Sequence, residues 1–203
     1  MVYPAAPWTL KGYGVQSLYW VRCDRARPFI PPELQPVEVW PGWTIGTVYL
    51  AHYGAGSTLE YNELIVVAGM VRLGKRLGAW ISHIYVDHPD SVAGGREIWG
   101  LPKELAQFTW ESGQCTVRQG DRLLCRLSYQ QPFYLWQQSL KVPSFGNLQG
   151  SLLWFEGQAQ FRLGLTWAQL EIPEASPFFD LHLGSPVMTL QMADLNLLAS
   201  PPA

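Results

Sequence analysis

Apolar and β-branched residues in this chain recur in short blocks of Val, Ile, Thr, Trp and Tyr, punctuated by 19 glycines and 16 prolines. Blocks this short and this often interrupted predict strands joined by turns rather than long helices. Residues 43–53, 61–72 and 79–87 are the clearest strands. Within the second, ELIVVAGMV is apolar at both alternating sets of positions, so a strand there should be covered on both faces. CTVRQGDRLLCRL and SLLWFEGQAQFRLGL predict hairpins with two-residue turns at Gly120-Asp121 and Glu156-Gly157. Helical signals are brief. Asp24 is placed to cap a short helix running towards Pro31-Pro32, and residues 91–98 suit one or two turns. No repeat, low-complexity tract or linker divides residues 1–203, which predicts a single mainly β domain, a sandwich or a barrel, with the last residues, ASPPA, frayed.

Composition narrows the function classes. Charged residues are 15% of the chain, against about 25% in an average globular protein, while the 48% hydrophobic content excludes a disordered chain. Lys and Arg number 14 against 16 Asp and Glu. The net charge of −2 therefore supplies no field to gather nucleic acid or an anionic membrane. So weakly charged a surface predicts a homo-oligomer that hides part of it. No segment approaches the length of a spanning helix, and the first residues lack a basic leader and an apolar core, so no signal peptide is expected. Cys23, Cys115 and Cys125 have no metal-ligand spacing and read as reduced, buried thiols of a cytoplasmic protein.

The chain has no GxSxG elbow, HExxH helix or P-loop. Its histidines are His52, His83, His88 and His182; His83 and His88, with Asp87 and Asp90, form the one cluster resembling a metal site. On a strand His83 and His88 point to opposite faces, and DHPD reads as a turn, so neither a metal nor any cofactor is assigned. Lysine is the informative scarcity. Lys11, Lys75 and Lys141 read as solubilising residues near turns or termini. Lys103 instead lies between Trp99, Leu101 and Pro102 on one side and Leu105, Ala106 and Phe108 on the other. Apolar burial favours the neutral amine of a lysine over the ammonium. A neutral amine condenses with a ketone, and the resulting iminium is an electron sink.

The string GGREIWGLPKELA, residues 94–106, resembles the signature of the acetoacetate decarboxylase family, in which the Schiff-base lysine follows the proline of a GREIWG-F-P-K motif. That family carries a pocket glutamate on a strand before the lysine, and Glu63 in EYNELIVV lies 40 residues before Lys103. PFIPPEL is similar to the family's V-P-E-P-L segment. The likeness runs loosely through residues 15–135 and is sharp at 94–106. It implies a mainly β fold, a barrel with an internal cavity and a few short peripheral helices, assembled into oligomers. It also implies Lys103 as nucleophile and Glu63 as the carboxylate that positions substrate or moves protons. Arg96 and Glu97 would form an internal ion pair holding the loop that aims Lys103, with Trp99 and Pro102 supporting the same turn. The implied activity is decarboxylation of a small β-keto acid or another reaction of a ketone. Aldolase or dehydratase chemistry needs the same iminium. The rival is a non-catalytic barrel whose 10 Trp, 9 Tyr and 8 Phe line a pocket for a flat apolar ligand. The chain departs from the family at three places. Glu104 stands where decarboxylating members have a second lysine, the family's substrate-binding arginine would fall near Gly14, and a further pocket carboxylate would fall near Val48.

Overall fold

The computed structural model describes residues 3–203 and is built almost entirely of strands. In chain order they begin with β1 Trp8–Arg22, β2 Gln35–Pro36, β3 Trp43–Tyr53, β4 Tyr61–Leu73, β5 Arg76–Val86 and β6 Lys103–Leu105. There follow β7 Gln107–Glu111, β8 Gln114–Gln119, β9 Arg122–Tyr129, β10 Phe133–Leu148, β11 Ser151–Thr166, β12 Ala168–Glu171 and β13 Met188–Ala199. Two α-helices, α1 Cys23–Ala26 and α2 Pro89–Trp99, interrupt them. Pairing runs β4–β3–β1–β13–β11–β10–β5, and β5 pairs back onto β4, so the hydrogen-bonded neighbours form a ring of seven strands. β2 joins β4 at one edge, and β6 runs parallel to β5. A separate sheet, ordered β12-β9-β8-β7, covers one flank.

The two-sided burial of β4 explains its continuous apolar run. Glu63, Ile65 and Val67 face the cavity inside the ring. Leu64, Val66 and Ala68 point the other way, into the core shared with Cys115, Val117, Leu124 and Leu127 of the second sheet. The strands expected at 43–53, 61–72 and 79–87 are β3, β4 and β5 to within a few residues. The hairpin at Gly120-Asp121 forms with Gln119 opposite Arg122, and Gly120 takes φ +60°. Cys23, Cys115 and Cys125 are all free thiols; Cys115 and Cys125 are buried between the sheets, where desolvation pushes the Cys115 thiol up to about 12.

Two local expectations are corrected. Glu156-Gly157 is not a turn: β11 runs straight through it, with Gly157 opposite Val142 on one side and Ala199 on the other. The ladders of two long neighbours outweigh the dipeptide's turn preference, and the chain reverses at Gln149-Gly150, both with positive φ. Asp24 does not cap α1. It lies inside the helix, and the Arg22 guanidinium donates to it at 2.7 Å. Two prolines at 31 and 32 end the segment, and Arg27 ties it down by donating to the carbonyls of Leu34 and Ile30.

Candidate active site

The site is assembled from the turn that ends α2. The helix begins with His88 Nδ1 accepting from the Asp90 amide and ends at Gly100, which takes φ +63°. That left-handed residue, the usual helix terminator, reverses the chain so that β6 comes back beside its own helix. Arg96 Nε then donates to the Lys103 carbonyl at 2.7 Å, and Lys103 registers opposite Ile84 of β5. Gly95 is required here by space: a methyl at its position would overlap Cδ and Cε of Lys103. Glycine at this point lets the lysine stem lie flat on the helix and enter the ring.

Within the ring, Lys103 Nζ donates to Glu63 Oε1 at 2.8 Å and to Ser91 Oγ at 2.9 Å. The Lys103 and Glu63 side chains are 4% and 5% exposed. Nζ also stands 4.9 Å from the Tyr61 ring centroid and 5.9 Å from that of Trp8, both within cation–π range. Tyr53 OH donates to the other Glu63 oxygen at 3.1 Å, and the Tyr49 hydroxyl lies 3.3 Å from that of Tyr53. A continuous polar chain therefore runs Tyr49–Tyr53–Glu63–Lys103–Ser91. Burial pushes the phenols of Tyr49, Tyr53 and Tyr61 well above their ordinary range, so they stay protonated. The remaining wall of this roughly 320 Å³ cavity is apolar, with Ile65, Met70, Ile81, Phe155 and Leu197 prominent.

The fold thus brings Lys103 and Glu63 together. Glu104 faces away, accepting from Gln119 Nε2 at 2.8 Å on the exposed side. Arg96 and Glu97 do not pair. Neighbouring residues on a helix point in different directions, so Arg96 holds the Lys103 backbone while Glu97 accepts from Tyr3 OH. Trp99 is buried edge-on to Trp8, at 4.8 Å, and donates to the Ser200 carbonyl. Pro102 does not line the cavity; it lies with Arg96 in a separate surface depression. Lys141 is not near a turn; it lies within β10 at the cavity rim. Val48 points into the core between the sheets, and the Tyr49 ring packs against Gly14. His83 bonds Ser82 and packs between Phe29 and Phe178, whereas His88 caps α2. Among the described residues no group of three His, Cys, Asp or Glu side chains could hold a metal.

Sequence reasoning missed Ser91, Tyr53 and Tyr49. The tyrosines carried a signal: Tyr49 and Tyr53 share strand parity, as do Tyr61 and Glu63 two residues apart. Ser91 carried none, because only the return of β6 onto α2 brings it to Lys103.

A family model described as acetoacetate decarboxylase matches residues 2–148. The chain is 35% identical over 107 residues to Protein NEOXANTHIN-DEFICIENT 1 of Solanum lycopersicum, covering 53% of this chain and 36% of that protein. It is 32% identical over 95 residues to an acetoacetate decarboxylase of Burkholderia cenocepacia, covering 42% of this chain and 33% of that one. The matched segments span about a third of the length of these curated relatives. Among solved structures, acetoacetate decarboxylase from Legionella pneumophila superposes with a TM-score of 0.74 at 21% identity, covering 100% of this chain and 88% of that one. The enduracididine biosynthesis enzyme MppR complexed with pyruvate gives 0.69 at 15% identity, covering 99% and 90%. Both share the fold.

Proposed function

Because this chain belongs to the acetoacetate decarboxylase family, we propose that it is a carbon–carbon lyase whose Lys103 forms a Schiff base with a small keto acid or ketone. The observation that carries this reading is a lysine amine held 2.8 Å from a carboxylate inside an apolar cavity. Passing one proton across that contact turns ammonium and carboxylate into amine and carboxylic acid without moving a heavy atom. The amine attacks the substrate carbonyl, and Glu63, now an acid, protonates the departing oxygen as water leaves. The iminium then accepts the electron pair of the breaking bond, Cα to carboxylate or Cα to a second carbon. Glu63, left as a carboxylate by the loss of water, regains a proton, from solvent in decarboxylation or from the hydroxyl of the departing carbon in carbon–carbon cleavage. It delivers that proton to Cα of the enamine, and water then releases the product. Ser91 accepts an N–H from Lys103 and so keeps Nζ aimed between Glu63 and the cavity.

Reduction of the imine by borohydride tests the proposal. A small β-diketone plus borohydride at pH 7 should label Lys103 alone among the four lysines, read by peptide mass spectrometry. Lys103→Arg should abolish the label, because guanidinium does not form an imine. Uniform labelling of Lys11, Lys75, Lys103 and Lys141 would overturn the reading. The apolar wall also supports a second reading, a cavity that binds an apolar small molecule without chemistry. In that case Lys103→Met retains ligand and the wild type yields no adduct.

A further inference from the structure

We infer that the cavity admits neutral carbonyl compounds and turns away those carrying a carboxylate, with Tyr49 as the residue that sets this preference. The chemistry of this inference rests on the Schiff-base reading of Lys103 and narrows its substrates from keto acids or ketones to neutral ketones; the selection itself rests on charge and space. Among the described residues, the charged side chains on the cavity wall are Glu63, Lys103 and Lys141. Glu63 and Lys103 neutralise each other. Lys141 stands at the rim, 69% exposed, and is 3.1 Å from Glu156. A substrate carboxylate would therefore enter without a cation of its own. If it displaced Glu63 from Lys103, Glu63 would become the unpaired anion, and the excess buried charge would be unchanged. Buried charges without a partner are strongly disfavoured.

Hydrogen-bond direction points the same way. Tyr53 commits its proton to Glu63, so Tyr53 oxygen accepts from Tyr49. With its proton used, the Tyr49 oxygen of the cavity wall can only accept, which makes it a poor neighbour for an anion and a good one for a substrate hydroxyl. Neutral Gln16, opposite Tyr49 in the β1–β3 ladder, adds a polar group but no charge. The seat of Tyr49 also fills the space that a side chain at 14 would need. A Cβ added at Gly14 would stand 2.7 Å from Tyr49 Cε2, so a side chain at 14 and this position of Tyr49 are mutually exclusive.

A neutral substrate has no carbon dioxide to lose, so the bond that breaks joins Cα to a hydroxyl-bearing carbon. Glu63 carboxylate takes the hydroxyl proton, the Cα–Cβ pair moves into the iminium to give an enamine, and an aldehyde departs. Glu63 returns its proton to Cα, and water frees a ketone and the Lys103 amine. A β-hydroxy ketone thus becomes a ketone and an aldehyde with no oxidant or reductant.

Levulinate and its methyl ester carry the same ketone and differ in charge, so borohydride trapping with each at pH 7 tests the selection. The ester should label wild-type Lys103 at least about tenfold faster. Tyr49→Arg should narrow or invert that ratio, while Tyr49→Phe, which removes the oxygen lone pairs but adds no charge, should lower it and still leave the ester ahead. Equal labelling by both compounds in the wild type, or faster labelling by levulinate, overturns the inference. Displacement of a neutral fluorescent naphthyl ketone is the second readout, independent of imine chemistry. If neither compound leaves an adduct, the Schiff-base reading falls. Preferential displacement by the ester would still support the selection, and equal displacement would sink it.

Discussion

Glu63 and Lys103 form the one ion pair of the described residues that is almost fully withdrawn from water, and its energetics follow from that. Removing one partner leaves the other buried without compensation. Glu63→Leu should therefore lower stability by about 3–5 kcal/mol in chemical denaturation. Adding Lys103→Met should recover most of the loss, because two apolar side chains then pack where two charges stood. Additive losses would mean that the two groups are not coupled. His83 offers a second test at this scale. Its burial between aromatic rings, with Glu104 opposing weakly, holds the imidazole down to about 4 from the usual 6.5. The unfolded chain takes up this proton first as pH falls. The stabilisation is thus complete above about pH 6.5 and is lost progressively towards pH 4, on the order of 3 kcal/mol. His83→Leu should flatten that part of the stability–pH profile, measured by urea midpoints.

At the scale of elements, α2 and β6 act together. Alanine is normally worth about 1 kcal/mol more than glycine inside a helix, so propensity alone favours Gly95→Ala. The fold decides otherwise, since the new methyl must push the Lys103 stem away from the helix. We expect Gly95→Ala to remain folded by circular dichroism while Lys103 trapping falls at least about tenfold. Unchanged trapping would show that Lys103 reaches the cavity by another path. The same scale explains the misread turn. A Glu-Gly dipeptide favours a hairpin locally, but between β10 and β13 it is held extended by ladders on both sides.

The whole molecule shows a surface that its own fold leaves uncovered. Phe133, Trp136 and Trp167 are 72%, 62% and 81% exposed, and Leu165, also exposed, lies directly opposite Phe133 in the β10–β11 ladder. Large apolar groups exposed along one strand pair and its end mark an interaction surface. We propose that a second copy of the chain covers them, in keeping with the low charge of the surface. Sedimentation at tens of micromolar should give a mass above one chain, and Phe133→Glu with Trp167→Glu should lower it. A monomeric wild type would overturn the proposal.

What the sequence determined by itself was local: the mainly β class, the strands β3 to β5, the Gly120 hairpin, the apolar setting of Lys103, and the family signature, whose resemblance implied Glu63 as the lysine's partner. Period-two alternation and a rare lysine in an apolar stretch are properties of neighbouring residues, and they survive without a structure. What tertiary structure decided is everything that depends on register and ring closure. Glu63 reaches Lys103 because β4 pairs β5 and β5 pairs β6. Ser91 joins them because the chain reverses at Gly100, and Tyr53 stands above Glu63 because Ala51, two residues before it, pairs with Glu63 across β3 and β4. Arg96 and Glu97 part company because helix geometry separates adjacent side chains. Contacts across dozens of residues are set by which strands pair, and that choice belongs to the packed core as a whole rather than to any window of the chain.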